Sequence, residues 1–337
     1  MKSQATQAPA YILRAIRAYD LEPVHTLGVQ KGYRNQSYGF RVASGRLYNF
    51  ILFKQEPGMA KRIIRTHAVA NFAAASGLPV RASISDRIIK LQDAQTARFG
   101  ALYNYLPGET ISWEAYTAKH IKLLGQALGE LHSALARYPQ AAALPSVAQE
   151  YVQIFNQMFI YFSQPATMQA VKNKLGIYLP VNTLYELKTF IAACDKLPGQ
   201  QALHMDFVRS NILFSTRPRL RISGILDFEK TGCGAPMFDI ARTLAFLLVD
   251  CKYKTEAQTH KYFLDSGYNK RSPVQVKQTF VRVKGIRHDL LETLINVFLL
   301  HDFYKFLRHN PYEYLAGNEH YARTKNLLLQ RGILHQL

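Results

Sequence analysis

The chain has little with which to staple or anchor itself. Its three cysteines, Cys194, Cys233 and Cys251, are too far apart for a disulfide framework or for the paired spacing of a zinc site. So few thiols in 337 residues fit a reducing compartment, and a cytoplasmic protein is expected. No apolar run reaches the roughly 18 residues that cross a bilayer. Residues 1–10 are polar and lack the apolar core of a signal peptide. Internal repeats and low-complexity segments are missing as well. Acidic residues are scarce, with 23 Asp and Glu against 42 Lys and Arg, a net charge of +19 and a pI near 9.8. Residues 31–98 carry twelve basic side chains and only three acidic ones, Glu56, Asp86 and Asp93. Such a surface draws nucleotides, nucleic acid or anionic lipid without sequence preference. No compact run of five or more Lys/Arg occurs, so no specific nucleic-acid partner is expected. The charge also disfavours a polycationic substrate, unless acids cluster locally in its pocket.

What is present is a globular composition, 48% hydrophobic and 12% aromatic, in a chain long enough for two lobes. Residues 11–22 read as a short helix with Tyr11, Ile12, Ala15 and Ile16 on one face. Residues 32–42 read as strand, turn, strand, and residues 48–54 as a mostly apolar strand ending at Lys54. Residues 61–76 read as a helix stopped by Gly77, with Pro79 beyond. Residues 87–91 and 99–105 complete a small sheet. The turn signal Leu106-Pro107-Gly108-Glu109 is the best boundary, dividing 1–106 from 107–337. Beyond it, Leu124, Leu128, Leu131 and Leu135 form an amphipathic stripe. Further helices are expected over 147–162, 182–195, 237–251 and 287–308. The expected fold class is α+β, a small antiparallel sheet lobe followed by a larger, mainly helical lobe. A nucleotide would lie in the cleft between them.

The chemistry concentrates in His204-Met205-Asp206-Phe207-Val208-Arg209-Ser210-Asn211 and, sixteen positions after Asn211, Asp227 in Ile225-Leu226-Asp227-Phe228-Glu229. Phosphoryl transfer from ATP needs a carboxylate to orient and deprotonate the acceptor hydroxyl, and oxygen ligands for Mg2+ on the phosphates. Asp206 suits the first task; Asn211 and Asp227 are hard oxygen ligands suited to the second. Ile212-Leu213-Phe214 and residues 220–226 read as a hairpin that brings Asn211 and Asp227 to the same end. Taken singly, each Asp reads as a solvated loop or turn residue. The spacing of all three is the kinase arrangement.

The remaining candidates are individually less specific. Lys54 is placed to meet the α/β-phosphates, although a strand-end lysine is commonly just solvated. The segment from Gly32 to Gly39 is either a loop over the phosphates, with Asn35 and Ser37 as polar contacts, or a plain hairpin turn. Asn104 and Tyr105 fall where a hinge strand would hold adenine through its backbone. His204 reads as a brace for the loop, and Asp239 as a helix-terminal acid favoured by capping and the helix dipole. Arg209 is either a phosphate or substrate contact or a salt-bridge partner. Glu229 either assists the metal or faces solvent.

These residues together resemble the aminoglycoside phosphotransferase and choline kinase superfamily of small-molecule kinases. The resemblance runs from about Gly28 to Leu248. It includes Gly-Tyr-Arg-Asn-Gln-Ser-Tyr at 32–38, Lys54, Ser-Gly-Leu-Pro-Val at 76–80, Tyr-Leu-Pro-Gly-Glu at 105–109, Leu-Gly-Glu-Leu-His at 128–132 and Pro236 to Ala241. It implies a protein-kinase-like bilobal fold, Asp206 as catalytic base, Asn211 and Asp227 as Mg2+ ligands and Lys54 on the phosphates of ATP. One departure stands out. Kinases pair the strand lysine with a glutamate on the following helix, and residues 59–78 contain no Asp or Glu; His67 or Asn71 falls where the acid is expected. The expected function is transfer of the γ-phosphoryl group to a hydroxyl of a small molecule: an antibiotic, amino alcohol, sugar or homoserine-like metabolite. The alternatives are a catalytically weak nucleotide-binding protein and a basic nucleic-acid or anionic-membrane binder. The oligomeric state is unreadable.

Overall fold

The computed structural model describes residues 8–31, 35–92, 97–251, 253–272 and 275–337. Gly32, Tyr33 and Arg34 of the expected phosphate loop lie outside them, as does Asp93. The elements run α1 (Ala10–Arg17), β1 (Pro23–Lys31), β2 (Gln36–Val42), β3 (Leu47–Leu52), α2 (Met59–Ala75), β4 (Ile89–Gln92) and β5 (Ala97–Asn104). They continue with α3 (Ala118–Leu135), α4 (Val147–Phe162), α5 (Pro165–Leu175), β6 (Ile177–Tyr178), α6 (Val181–Cys194), β7 (Gln201–Leu203), β8 (Ile212–Ser215) and β9 (Arg221–Ile225). After these come β10 (Gly232–Gly234), α7 (Met237–Asp250), α8 (Glu256–His260), β11 (Phe280–Val283), β12 (Ile286–Asp289), α9 (Leu290–His309), α10 (Glu319–Gln330) and β13 (His335–Gln336). The chain divides into two compact units. The first holds Met1–Glu109 with Ile212–Glu229, the second Thr110–Asn211 with Lys230–Leu337.

The first unit is a five-stranded antiparallel sheet in the order β1-β2-β3-β5-β4. β3 reads as a continuous apolar run because both faces of the sheet are covered. Successive side chains on a strand point to opposite faces. Phe50 and Leu52 therefore pack with Ile12, Ile16 and Phe40 under α1, while Ile51 and Phe53 pack with Met59, Ile63 and Tyr103 under α2. The strand pair expected over 32–42 begins earlier, at Pro23. Proline tolerates the start of an edge strand, and β1 is such an edge. α1 ends at Arg17, short of the expected 22, and Asp20 turns the chain at φ 59°. The β8–β9 hairpin joins this unit through backbone bonds from Arg81 N to Ile225 O, Ile225 N to Pro79 O and Glu109 N to Phe214 O. Ile212 pairs with Ile225, so the residues before the first and after the second leave the hairpin at the same end.

The second unit is mainly helical. α7 packs against α9, α4 against α6, and α3 against the turns at 261–270. α9 starts at Leu290 rather than 287, because the Asp289 side chain accepts the Glu292 N–H at 3.1 Å and β12 occupies the residues before it. β7 and β10 pair antiparallel with Leu203 opposite Gly232, which aligns the stretch after Leu203 with the stretch before Gly232. α3 carries Gly125 where a Cβ would stand 2.1 Å from the Phe263 carbonyl oxygen and 2.8 Å from the Tyr268 nitrogen. Both are backbone atoms, so the helix can approach this closely only without a side chain.

Gly125→Ala is therefore expected to destabilise the protein by about 1–3 kcal/mol or more, the usual cost of overpacking. Urea unfolding followed by circular dichroism measures this. An unchanged midpoint would show that the turns at 261–270 yield freely.

Candidate active site

Within the second unit the loop 204–211 is held by one buried carboxylate. Asp239, in the first turn of α7, is fully buried. Its Oδ2 accepts the His204 N–H at 2.7 Å and its Oδ1 accepts the Met205 N–H at 2.7 Å. His132 Nε2 lies 3.2 Å from Oδ2, and His132 Nδ1 lies 2.7 Å from the Tyr268 hydroxyl. Burial pushes the Asp239 carboxyl up; hydrogen bonding and charge from His132, with the His204 backbone bond, outweigh it and hold the group below its ordinary range. Asp239 thus ties down a loop rather than capping its own helix, whose N-cap is Pro236 with no side-chain cap bond. His204 is fully buried and its Nδ1 accepts the Asp206 N–H at 3.1 Å, the bracing role expected of it.

Asp206 lies between fixed partners. Lys230 Nζ donates to its Oδ1 at 2.7 Å and Arg242 donates to the same oxygen at 3.0 Å. Asn211 Nδ2 donates to its Oδ2 and to its backbone carbonyl, both at 3.0 Å. Burial raises the carboxyl, but Arg242 and Lys230 prevail and hold it well below the ordinary carboxylate range. Arg242 is itself buried and also donates to the Tyr151 hydroxyl at 2.8 Å. Arg209 forms an ion pair with Asp250 at 3.5 Å, the salt-bridge alternative of the two expected for it.

Within the first unit Asp227 follows β9 with φ at 58°, a backbone state that non-glycine residues seldom adopt and that gathers at functional positions. Its Oδ1 accepts the Glu229 N–H at 3.2 Å. Glu229 accepts a short hydrogen bond from Asn35 Nδ2, and Asn35 Oδ1 accepts the Lys54 N–H at 3.0 Å. Asn35 therefore links the Lys54 backbone to the segment that carries Asp227. The Lys54 ammonium lies 3.7 Å from Glu56, which also pairs with Arg62 at 2.7 Å. A carboxylate thus stands beside Lys54, on its own loop and not on α2. His67 contacts the Tyr103 hydroxyl at 2.8 Å, and burial pushes its ring down to about 4. Asn71 binds Ser83. Ser37 donates to Asn49 at 2.7 Å. The Asn104 side chain accepts the Ala82 N–H and donates to the Val80 carbonyl. Tyr105 meets Gly39 and, with Tyr48, Asn104 and Pro107, lines an open depression of about 700 Å3.

Four contributors had no assigned role in the sequence reading: Lys230, Arg242, His132 and Tyr151. Arg242 stands three positions after Asp239, the spacing that puts two helical side chains on one face. Lys230 reaches Asp206 because the β7–β10 register sets their flanking segments side by side.

The sequence model of the Phosphotransferase enzyme family matches residues 25–257. No curated protein matches the chain. Among solved structures, an amicoumacin kinase in complex with AMP-PNP, Ca2+ and Ami superposes with a TM-score of 0.69 at 13% identity, covering 96% of this chain and 94% of that one. A microcompartment-associated aminopropanol kinase gives 0.60 at 15% identity, with 96% and 98% covered. The GDP complex of aminoglycoside 2'-phosphotransferase-IIIa gives 0.59 at 14%, with 96% and 98% covered. At such identities the likeness is one of fold, and it bears out the kinase-like α+β fold. Among the described residues, no helix is long and apolar enough to cross a membrane.

Asp239→Ala removes the acceptor of two buried N–H groups and is expected to cost about 3–5 kcal/mol. The folded-state carboxyls of Asp239 and Asp206 are both depressed. Their stabilisation is present above the unfolded carboxylate value of about 4 and lost as pH falls through the folded values. Urea midpoints between neutral and acid pH should fall steeply for the wild type below about pH 4 and less steeply for Asp239→Asn. Parallel curves would show that Asp239 adds nothing to the acid limb.

Proposed function

The chain belongs to the phosphotransferase enzyme family, and from that premise we propose that it moves the γ-phosphoryl group of ATP to a hydroxyl of a small molecule, with Mg2+. The observation that carries the proposal is the fixing of Asp206 by Asn211, Lys230 and Arg242 on a loop whose backbone is itself held by Asp239. An ionised carboxylate so constrained accepts a hydrogen bond from an incoming hydroxyl and aims its oxygen at phosphorus. In the same reading it takes up the hydroxyl proton as transfer proceeds. The transition state of phosphoryl transfer is loose and asks for positioning more than for a strong base.

The donor set fits magnesium. The Asn211 amide nitrogen is spent on Asp206, which leaves its carbonyl oxygen as the ligand atom, and one Asp227 oxygen is steadied by the Glu229 N–H. Asn211 and Asp227 would hold the ion, which supplies charge neutralisation on the phosphates. Lys54 serves the α/β-phosphates, oriented by Glu56 in place of a helix acid. Asn35 fixes the Lys54 backbone, and Ser37 steadies β2 against β3 beside it. Asn104 and Tyr105 serve adenine through their backbone groups, Asn104 through its carbonyl, since its N–H is donated to the Ala82 carbonyl at 3.1 Å. Lys230, half exposed and paired with Asp206, offsets charge that develops on the transferred group. The acceptors named for the similar structures are antibiotics and aminopropanol, and the panel for this chain spans antibiotics, amino alcohols, sugars and homoserine-like metabolites.

A second reading is a nucleotide-binding protein with weak turnover. Its support is the lack of any acid over residues 59–78, with Glu56 at 3.7 Å from Lys54 as the substitute.

ATP consumption with Mg2+ over a panel of hydroxyl compounds separates the two. Stimulation by one class of compound is expected, reduced about 10^2–10^4-fold in Asp206→Ala while nucleotide binding persists. Asp227→Ala is expected to weaken Mg2+-dependent nucleotide binding. Binding with no stimulated turnover would favour the weak-enzyme reading, and absence of nucleotide binding would sink both.

A further inference from the structure

The charges around Asp206 in the second unit do not balance. Asp206 has two cationic partners, Lys230 at 2.7 Å and Arg242 at 3.0 Å. On α9, Asp302 also has two, Lys305 at 3.0 Å and His320 at 2.9 Å. The His320 ring, opposed by burial but held by Asp250 and Asp302, is raised to about 9 and is protonated at neutral pH. Asp250 is shared by His320 and Arg209, each at 3.5 Å. Five cations thus face three carboxylates, an excess of two positive charges.

The two groups of charges are neighbours. The Arg242 guanidinium lies over the Phe298 ring on α9 at 5.8 Å, and Tyr151, bonded to Arg242, packs edge-on to His301 at 5.4 Å. His301 precedes Asp302. Burial, then Lys305 and Arg242, keep its ring well below the usual histidine range and therefore neutral. Burial and Arg242, with a smaller contribution from Lys305, lower the Lys230 ammonium, although Asp206 opposes them. The carboxylates here are the more buried partners, Asp206 and Asp302 each 13% exposed, while the cations reach further toward solvent, Lys230 at 43%, Lys305 at 39% and Arg209 at 36%.

We propose that the acceptor carries an anionic group, a carboxylate or a phosphate, which Lys305 and Lys230 receive beside Asp206. The inference rests on the phosphotransfer reading above and narrows its substrate. An amine-bearing acceptor would meet the part-exposed side chains of two lysines, and Asp206, Asp250 and Asp302 each already have two cationic partners. Like charges set against one another are a usual means of refusing the wrong partner. Lys305 is a specificity residue in this scheme and takes no part in the transfer itself.

The test uses four small alcohols that differ mainly in charge: 4-hydroxybutyrate, glycerol 3-phosphate, 1,4-butanediol and 4-amino-1-butanol. Each is offered with ATP and Mg2+ to the full chain, and phosphorylated product is read by phosphorus NMR. The expected kcat/KM is at least about tenfold higher for an anionic alcohol than for the amino alcohol, with the better of the two anions naming carboxylate or phosphate. In Lys305→Glu the KM for that anion should rise by a similar factor while kcat and the KM for ATP hold, and Lys305→Arg should restore it. A preference for 4-amino-1-butanol, or Lys305→Glu behaving as wild type, overturns the proposal. If no alcohol is phosphorylated, the phosphotransfer reading loses its support and binding decides the anion site. There, thermal melting with each compound should show stabilisation by the anions over the amine, lost in Lys305→Glu. Equal or greater stabilisation by the amine overturns the proposal.

Discussion

The buried carboxylate of Asp239 is the constraint on which the loop 204–211 depends. A carboxylate removed from water is costly unless its oxygens are filled by donors. Here the donors are two successive backbone N–H groups, His204 and Met205, together with the His132 ring. Those bonds fix two peptide planes directly before Asp206. They also hold Met205 at φ 58°, a conformation a methionine would not keep unaided. The tie extends backwards through His132 to the Tyr268 hydroxyl. His132 sits on α3, which reaches the turn around Tyr268 because Gly125 and Gly129 present no side chain there. Helix contact, histidine, carboxylate and loop thus form one continuous physical chain in the second unit.

The first unit holds its polar residues by the same device of side chain on backbone. Asn35 accepts the Lys54 N–H, Asn104 accepts the Ala82 N–H, and Asp227 accepts the Glu229 N–H. Each bond sets the backbone of a position that carries a charge or adjoins one. The segment 79–82 is fastened to Asn104 on one side and Ile225 on the other, so the hairpin that ends near Asp227 is anchored to the sheet. Asp227 itself repeats the positive φ of Met205. Met205 is held there by its N–H bond to Asp239, and the Asp227 side chain accepts the Glu229 N–H two positions on.

Much of this was legible in the sequence. Helix α4 lies where its apolar periodicity sets it, over Val147–Phe162, and the β8–β9 hairpin follows from two apolar runs split by Pro218. α5 carried a proline at its start and Gly176 just past its end, the usual helix punctuation. Only Val171 of it is buried, so it offered no apolar stripe to read. β1 is an edge strand with Val24 and Leu27 exposed, and alternation fails as a signal where neither face is fully covered. In the site, spacing pointed to Asp206, Asn211 and Asp227. It could not point to Lys230 or Arg242, whose meeting at one carboxylate depends on strand register and on a helix face. The work of Asp239 was hidden for a related reason: an acid in a first helical turn satisfies the dipole rule whether or not it also binds a distant loop.

The clamp on Asp206 raises a question of mechanism that the proposed reaction answers. A carboxylate held far below its ordinary range by Arg242 and Lys230 is a poor general base, since proton abstraction is most efficient when the base titrates near the working pH. For acyl transfer or enolisation such pairing would be a defect. Phosphoryl transfer differs, because its loose transition state leaves most of the proton on the acceptor until late. The resting hydroxyl then needs direction more than activation. Direction is what two cations and an amide on one carboxylate provide, by leaving it few ways to turn. As phosphorus bonds to the acceptor oxygen, the proton becomes far more acidic and even a weak base can take it. Lys230 adjoins Asp206, and in the proposed reaction its half-exposed side chain would offset the negative charge on the transferred group. On this argument the same ion pairs that lower the basicity of Asp206 supply the orientation and the charge compensation on which the proposed transfer depends.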